Sequence, residues 1–330
     1  MKKLMLAAAL AAGLGGPAQA DGHASEVTLH LQWVTQSQFA GYYVALDQGF
    51  YEEEGLNVTI LPGGPDIAPP QVLAGGGADV MLNWMPSALA AREKGLPVVN
   101  IAQPFKTSGL MLTCWKDTGI ETVEDFRGKT IGVWFFGNEY PFLSWMSQAG
   151  NPTDGGDDGV TVLRQGFNVD PLLNREADCI STMTYNEYGQ VLDAGVSEDE
   201  LVTFKYEEQG VATLEDGIWA LEENLDDPVF VDKMVRFVRA SMKGWKWAEE
   251  NPEDAAGIVL DYDATGAQGE AAQIRMMGEI AKLTAGSDGS LDPADFQRTV
   301  DTLLAGGSDP VITAQPEGAW TSVITDQALN

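Results

Sequence analysis

The chain has 330 residues and a formal net charge of −30. That balance opposes nucleic acid and anionic lipid as partners, since both need basic patches. Its simplest reading is a solvating acidic surface. Two cysteines and two histidines leave no usual ligand set for zinc or iron, so no metal is expected.

In chain order, the first element is a targeting segment. Lys2 and Lys3 form a basic start, Leu4 to Leu14 is apolar, and Ala18-Gln19-Ala20 fits the small-x-small cleavage rule. Residues 1–20 are therefore expected to be a signal peptide, cut after Ala20. Its apolar stretch is too short to span a bilayer. No Cys stands directly after the predicted cut, where Asp21 lies, so the exported chain is expected to carry no lipid anchor. The remainder exceeds one typical domain and suits two.

Leu29, Leu31 and Trp33 then alternate with polar residues, a period-two strand signal. Tyr43, Leu46 and Phe50 recur at helical spacing, with Gly49 and Gly55 where the helix stops. Between strand and helix lies an amide- and aromatic-rich loop that includes Gln36, Phe39 and Tyr42. Further strand-like runs are Asn57–Leu61, Ala78–Leu82, Val98–Ala102, Leu110–Trp115, Thr130–Trp134, Val160–Arg164, Cys179–Met183 and Leu201–Lys205. Helical patterns fill the gaps. Such alternation predicts α/β architecture with mainly parallel sheets and helices on both faces.

The same phrase occurs twice, from Leu29 to about Gln103 and from about Gly128 to Lys205, which predicts two similar lobes. The expected division is 21–108 plus 206–330 for one lobe and 109–205 for the other. Residues 226–251 predict a long amphipathic helix started by Asp226-Asp227-Pro228, and 269–283 and 292–304 predict two more. Trp245 and Trp247 read as packing residues. Cys114 and Cys179 sit in apolar, strand-like runs. An exported compartment permits a disulfide, but that setting favours free core cysteines.

Six segments follow strands and should converge at the cleft: QWVTQSQFAGY, GGPDIAPP, NWMPS, FFGNEYPF, GFNVD and TYNEY. None contains Lys or Arg. They offer the aromatic residues Trp33, Phe39, Tyr42, Trp84, Phe135 and Tyr185, the acids Asp66, Glu139 and Glu187, and the amides Gln36, Asn83, Asn138 and Asn168. A buried oxyanion normally needs a cation or converging helix-start amides. An aminoheterocycle needs an aromatic face, worth ~1–3 kcal/mol per stacked ring, and acceptors for its amino group. The loops suit the second. Alternatives remain at single residues. Trp33 ends a strand and reads equally as core. Asn83 can cap the helix that begins at Met85-Pro86. Glu187 is either a first-turn acid matching the helix dipole or the carboxylate that meets an amine, and Asn138-Glu139 has the same two readings. Asp79 and Asp178 read as strand-start geometry.

The phrases AGYYVALDQGFYEEEGLNVTI, LAGGGADVM, LAAREKGLPVV and IETVEDFRGKTIGV, with residues 178–187, resemble the periplasmic solute-binding proteins of ABC importers. The similar family groups alkanesulfonate-, nitrate- and thiamine-precursor-binding proteins with thiamine pyrimidine synthase. The resemblance implies a type II-like periplasmic binding fold, two lobes joined by a hinge. It also implies a periplasmic location and delivery of solute to a permease and its ATPase. GFNVDPLL is similar to the thiamine-pyrimidine branch, which implies a hydroxymethyl- or formyl-aminopyrimidine as solute. Riboflavin, or an anion such as taurine, another alkanesulfonate or nitrate, is the alternative. The synthase-like enzyme is disfavoured. Positions matching its pyridoxal-binding Lys and reacting His are Asn83 and Ser87, and its iron-handling cysteines would fall at ATLED, which has none. No cofactor and no catalytic residue are expected.

Overall fold

The computed structural model describes residues 24–135, 137–156, 158–306 and 310–329. The predicted signal peptide lies outside them. Among the described residues, ten strands form two five-stranded sheets. The first has the order β2 (Leu56–Leu61), β1 (Ser25–His30), β3 (Val80–Asn83), β10 (Gly217–Leu221), β4 (Val98–Ala102). The second has the order β7 (Thr161–Arg164), β6 (Thr130–Val133), β8 (Cys179–Met183), β5 (Leu110–Trp115), β9 (Leu201–Lys205).

Each sheet contains one reversed strand, fourth in the order. β10 is antiparallel to both β3 and β4, and β5 is antiparallel to both β8 and β9. The other strands of each sheet run parallel, as the alternating pattern predicts. The reversed strand is the one that enters from the opposite sheet. β5 follows β4 through residues 103–109, and β10 follows β9 through residues 206–216. The two crossovers thus run side by side between the sheets. Strand periodicity alone predicts nothing beyond Lys205, yet GIWAL completes the first sheet as β10.

The sheets repeat a local device. Asp79, just before β3, accepts a hydrogen bond from the Thr28 N–H of β1 at 2.8 Å. Asp178, just before β8, accepts one from the Thr130 N–H of β6 at 2.8 Å. Both aspartates thus serve strand-start geometry, tying a parallel neighbour to the strand entry.

Free cysteines are not what the fold contains. Cys114 and Cys179 are direct partners in the β5–β8 register and are joined as a disulfide. An in-register antiparallel pair brings β-carbons within reach of each other, a closeness that residues 65 apart in sequence do not display.

The helix Pro228–Glu250 is started by Asp227, whose carboxylate accepts the Val229 N–H at 2.9 Å. It crosses the helix Ala40–Asp47 at two glycines. A β-carbon on Gly41 would fall 2.2 Å from the Trp245 ring, and one on Gly244 would fall 2.0 Å from the Gly41 carbonyl. The close approach seats Trp245 fully in the core, edge-on to Tyr42 and Phe105. Trp247 packs, half-buried, against the same core. Among the described residues no helix is long and apolar enough to cross a membrane.

Candidate functional site

The loops at the carboxyl ends of β1, β3, β6, β7 and β8 face the two crossovers. They meet across the gap between the sheets. The rings of Trp33, after β1, and Phe167, after β7, are 4.6 Å apart. Gly137, after β6, abuts Ser87, where an added β-carbon would lie 2.9 Å from the Ser87 Cβ. Farther out, Arg275 grips Asp193 with two bonds, of 3.0 and 2.6 Å.

Behind these contacts lies an enclosed acidic and aromatic group. Glu187 starts the helix Glu187–Asp193 and is 8% exposed. Its carboxylate accepts the Met183 N–H at 3.1 Å and the Asn186 amide at 2.8 Å. Burial outweighs those donors and pushes its pKa up to about 7.

Two more acids join it from the second crossover. Glu215 and Asp216 are consecutive and fully buried. Glu215 Oε1 accepts from Ser108 Oγ at 2.6 Å and from the Gly109 N–H at 2.8 Å, both on the first crossover. Its other oxygen lies 3.5 Å from the Tyr185 hydroxyl. Gln103 Nε2 donates to the Glu215 backbone carbonyl, and Ser108 N–H to Glu207 at 2.7 Å. Glu215 therefore pins one crossover to the other. Asp216 Oδ2 accepts from Gln38 Nε2 at 2.6 Å, and Gln36 Nε2 donates to Gln38 Oε1 at 2.6 Å. Burial raises both carboxyls, Glu215 to about 8 with Asp216 adding to the rise, and Asp216 to about 7. Among the described residues, none of these three acids forms an ion pair with Lys or Arg.

The residues expected from sequence distribute unevenly. Trp84, Tyr185, Glu187 and, through Gln38, Gln36 surround the enclosed group. Trp84 is 6% exposed, and its backbone N–H donates to Gln32 Oε1 at 2.9 Å. Asn83 is buried behind it, donating to Ser87 Oγ at 3.3 Å while its carbonyl takes the Trp219 indole at 3.0 Å. Phe39 and Tyr42 are fully buried and belong to the main core, Tyr42 against Trp245. Trp33 lies at the rim.

Phe135, Asn138 and Glu139 form a second rim patch. Asn138 donates to the Phe135 carbonyl at 2.9 Å, and Glu139 accepts the Gly137 N–H at 2.7 Å. Burial raises the Glu139 pKa. Asp66 and Asn168 are exposed on their loops and stand outside the enclosed group. Arg164, the last residue of β7, places its guanidinium 5.4 Å from the Phe135 ring centre. It is a cation at the rim that the six loop segments do not contain. Glu215 and Asp216 were not singled out by sequence, and Gln38 read only as part of the amide-rich loop. The only signal for the acid pair is its setting, VATLEDGIWAL, apolar on both sides.

Comparison with known proteins bears on the family and the fold. The family model described as "NMT1/THI5 like" matches residues 36–255. The formylaminopyrimidine-binding protein of Halalkalibacterium halodurans is 26% identical over 241 residues, 71% of this chain and 69% of that protein. The riboflavin-binding protein RibY of Chloroflexus aurantiacus is 27% identical over 244 residues, 72% of this chain and 66% of that protein. A 4-amino-5-hydroxymethyl-2-methylpyrimidine phosphate synthase of Legionella pneumophila matches a shorter stretch, 32% identical over 154 residues, 46% of this chain and 47% of that protein. Among solved structures, the putative periplasmic sulfonate-binding protein SsuA of Methylobacillus flagellatus superposes with a TM-score of 0.66. It is 15% identical, with 93% of this chain and 94% of that one covered. The fold is that of a periplasmic binding protein.

Proposed function

Because the chain belongs to the NMT1/THI5-like family, we propose that it is the periplasmic substrate-binding protein of an ABC importer. Its solute is an aminopyrimidine of the thiamine-precursor type, hydroxymethyl- or formyl-substituted. The observation that carries this reading is the enclosed group of Glu187, Glu215 and Asp216 beside Trp84 and Tyr185, with no Lys or Arg among the described residues in an ion pair with any of the acids. Such a group offers flat faces and acceptors, which an amino-bearing ring needs and an oxyanion does not. The formylaminopyrimidine for which the Halalkalibacterium relative is named supports the same class.

Capture proceeds by closure. Residues 21–108 with 206–330 form one lobe and 109–205 the other, parted at the crossovers 103–109 and 206–216. The solute enters while the lobes are apart and stacks on Trp84 and Tyr185. Closure then excludes water from the acids, which strengthens each hydrogen bond to the solute. Trp33–Phe167 and Arg275–Asp193 are made only in the closed form, the form a permease recognises. The signal peptide, 1–20, directs export. No step of this cycle makes or breaks a covalent bond.

A second reading takes an anion such as a sulfonate or nitrate, and Arg164 over Phe135 is the observation that favours it. Thermal-shift titration against hydroxymethyl-aminopyrimidine, riboflavin, taurine and nitrate separates the two. Ligand at a hundred times its Kd adds about 2.7 kcal/mol of stability. Stabilisation by the pyrimidine alone supports the first reading, and stabilisation by taurine or nitrate alone replaces it with the second.

A further inference from the structure

Asp216 has an acceptor that the protein leaves unused. Its Oδ2 is taken by Gln38, whereas Oδ1, fully buried, has no hydrogen-bond partner. Leaving a buried carboxylate oxygen unpaired is costly unless something else fills the valence. One neighbour shares the deficit. The Trp84 indole N–H faces the same carboxyl without meeting hydrogen-bond geometry and has no other partner.

The chain supports this carboxyl from several sides. Gln36 orients Gln38, and Gln38 fixes Oδ2, so the direction of Oδ1 is set by its surroundings. The Asp216 backbone has φ +26°, a conformation that few side-chain-bearing residues adopt. Glu215, one residue earlier, is spent on the crossover donors Ser108 and Gly109. Glu187 already accepts two bonds from its own segment. Of the three acids, Asp216 alone has a wholly unclaimed oxygen.

We propose that Asp216 is a ligand-binding residue, whose Oδ1 accepts a hydrogen bond from an N–H of the bound heterocycle while the Trp84 indole N–H donates to an acceptor beside it. The inference rests on the aminopyrimidine reading and assigns the residue that selects for the amino group. A ring carrying an amino donor next to a nitrogen acceptor satisfies both orphans at once. The same ring with an oxo group in place of the amino group presents an acceptor to Oδ1 and is rejected.

The test compares 4-amino-5-hydroxymethyl-2-methylpyrimidine with its 4-oxo analogue by calorimetry, on the wild type and on Asp216→Asn. The wild type is expected to prefer the amino compound at least tenfold. Asp216→Asn, whose amide can donate as well as accept, is expected to lose most of that preference while still unfolding cooperatively. Wild-type protein that binds both compounds equally overturns the proposal whatever the variant does. So does a folded Asp216→Asn protein that keeps the full preference, or one that loses affinity for both compounds in proportion, which marks a structural role. Wild-type protein that binds neither compound takes down the aminopyrimidine reading along with this one.

Discussion

The rings of Trp33 and Phe167 meet with centroids 4.6 Å apart and planes at 50°. Each comes from a different sheet, and Phe167 remains 45% exposed. A pair of this kind contributes about 0.5–1.5 kcal/mol beyond its buried area. On the proposed closure the pair forms only when the sheets' loops meet, so that energy would favour the closed state. Phe167→Ala is therefore expected to weaken ligand binding by up to about tenfold at unchanged unfolding temperature, because the residue contributes little to either core. Calorimetry with the wild type alongside checks it, and unchanged affinity would remove the pair from closure.

Glu187 supplies the second expectation. Glu187→Gln keeps shape but removes the charge that a solute's amino group meets, so affinity for an aminopyrimidine should fall by about 1.5–3 kcal/mol, the scale of a hydrogen bond to a charged group. The amide of Gln cannot accept from Met183 and Asn186 and also favour a cationic donor. A Kd within twofold of the wild type would return Glu187 to the role of a helix-start acid.

Stability should fall as pH rises. Glu187, Glu215 and Asp216 are raised to about 7, 8 and 7, while in the unfolded chain they titrate near the ordinary carboxylate range of about 4. Between about pH 4 and 8 the folded state thus binds more protons than the unfolded one, and stability decreases with pH in that window. The contribution is fully present below about pH 4 and lost above about pH 8. Denaturant midpoints of the ligand-free protein are expected to be higher at pH 5 than at pH 8, with Glu215→Gln reducing the difference. An equal or reversed order would mean that these carboxyls are not buried as described.

Reduction of the Cys114–Cys179 bridge removes a constraint closing a loop of sequence separation 65. Chain-entropy reasoning puts its contribution at about 4 kcal/mol. The Cys114→Ser, Cys179→Ser double variant is expected to unfold at lower denaturant while keeping its fold, since both positions are central in a fully paired sheet. Chevron or equilibrium unfolding with and without reductant measures it. Identical midpoints would show the thiols to be free.

The elements legible in the sequence were those with local signals. Alternation gave most strands before residue 206, although the first lies at Ser25–His30 and leaves Leu31 and Trp33 beyond its end; helical spacing gave Pro228–Glu250, and the Trp245 face read as core. What escaped was set at long range. GIWAL is short and follows two acids, and only its partners β3 and β4, more than a hundred residues earlier, make it a strand. Glu215-Asp216 went unread as a site, because its burial depends on Ser108, Gly109 and Gln38 on other segments. The cysteine pairing depended on register, which neither apolar run displays. The candidate loops were visible as loops, but whether a side chain faces the gap or the core was not, as Phe39 and Tyr42 show.

The most direct test is a crystal structure of the protein soaked with hydroxymethyl-aminopyrimidine. The account predicts the ring against Trp84 and Tyr185, with its amino group within hydrogen-bond distance of Asp216 or Glu187 and no Lys or Arg touching it. An oxyanion clasped by Arg164, or a pyrimidine bound away from these acids, would contradict it.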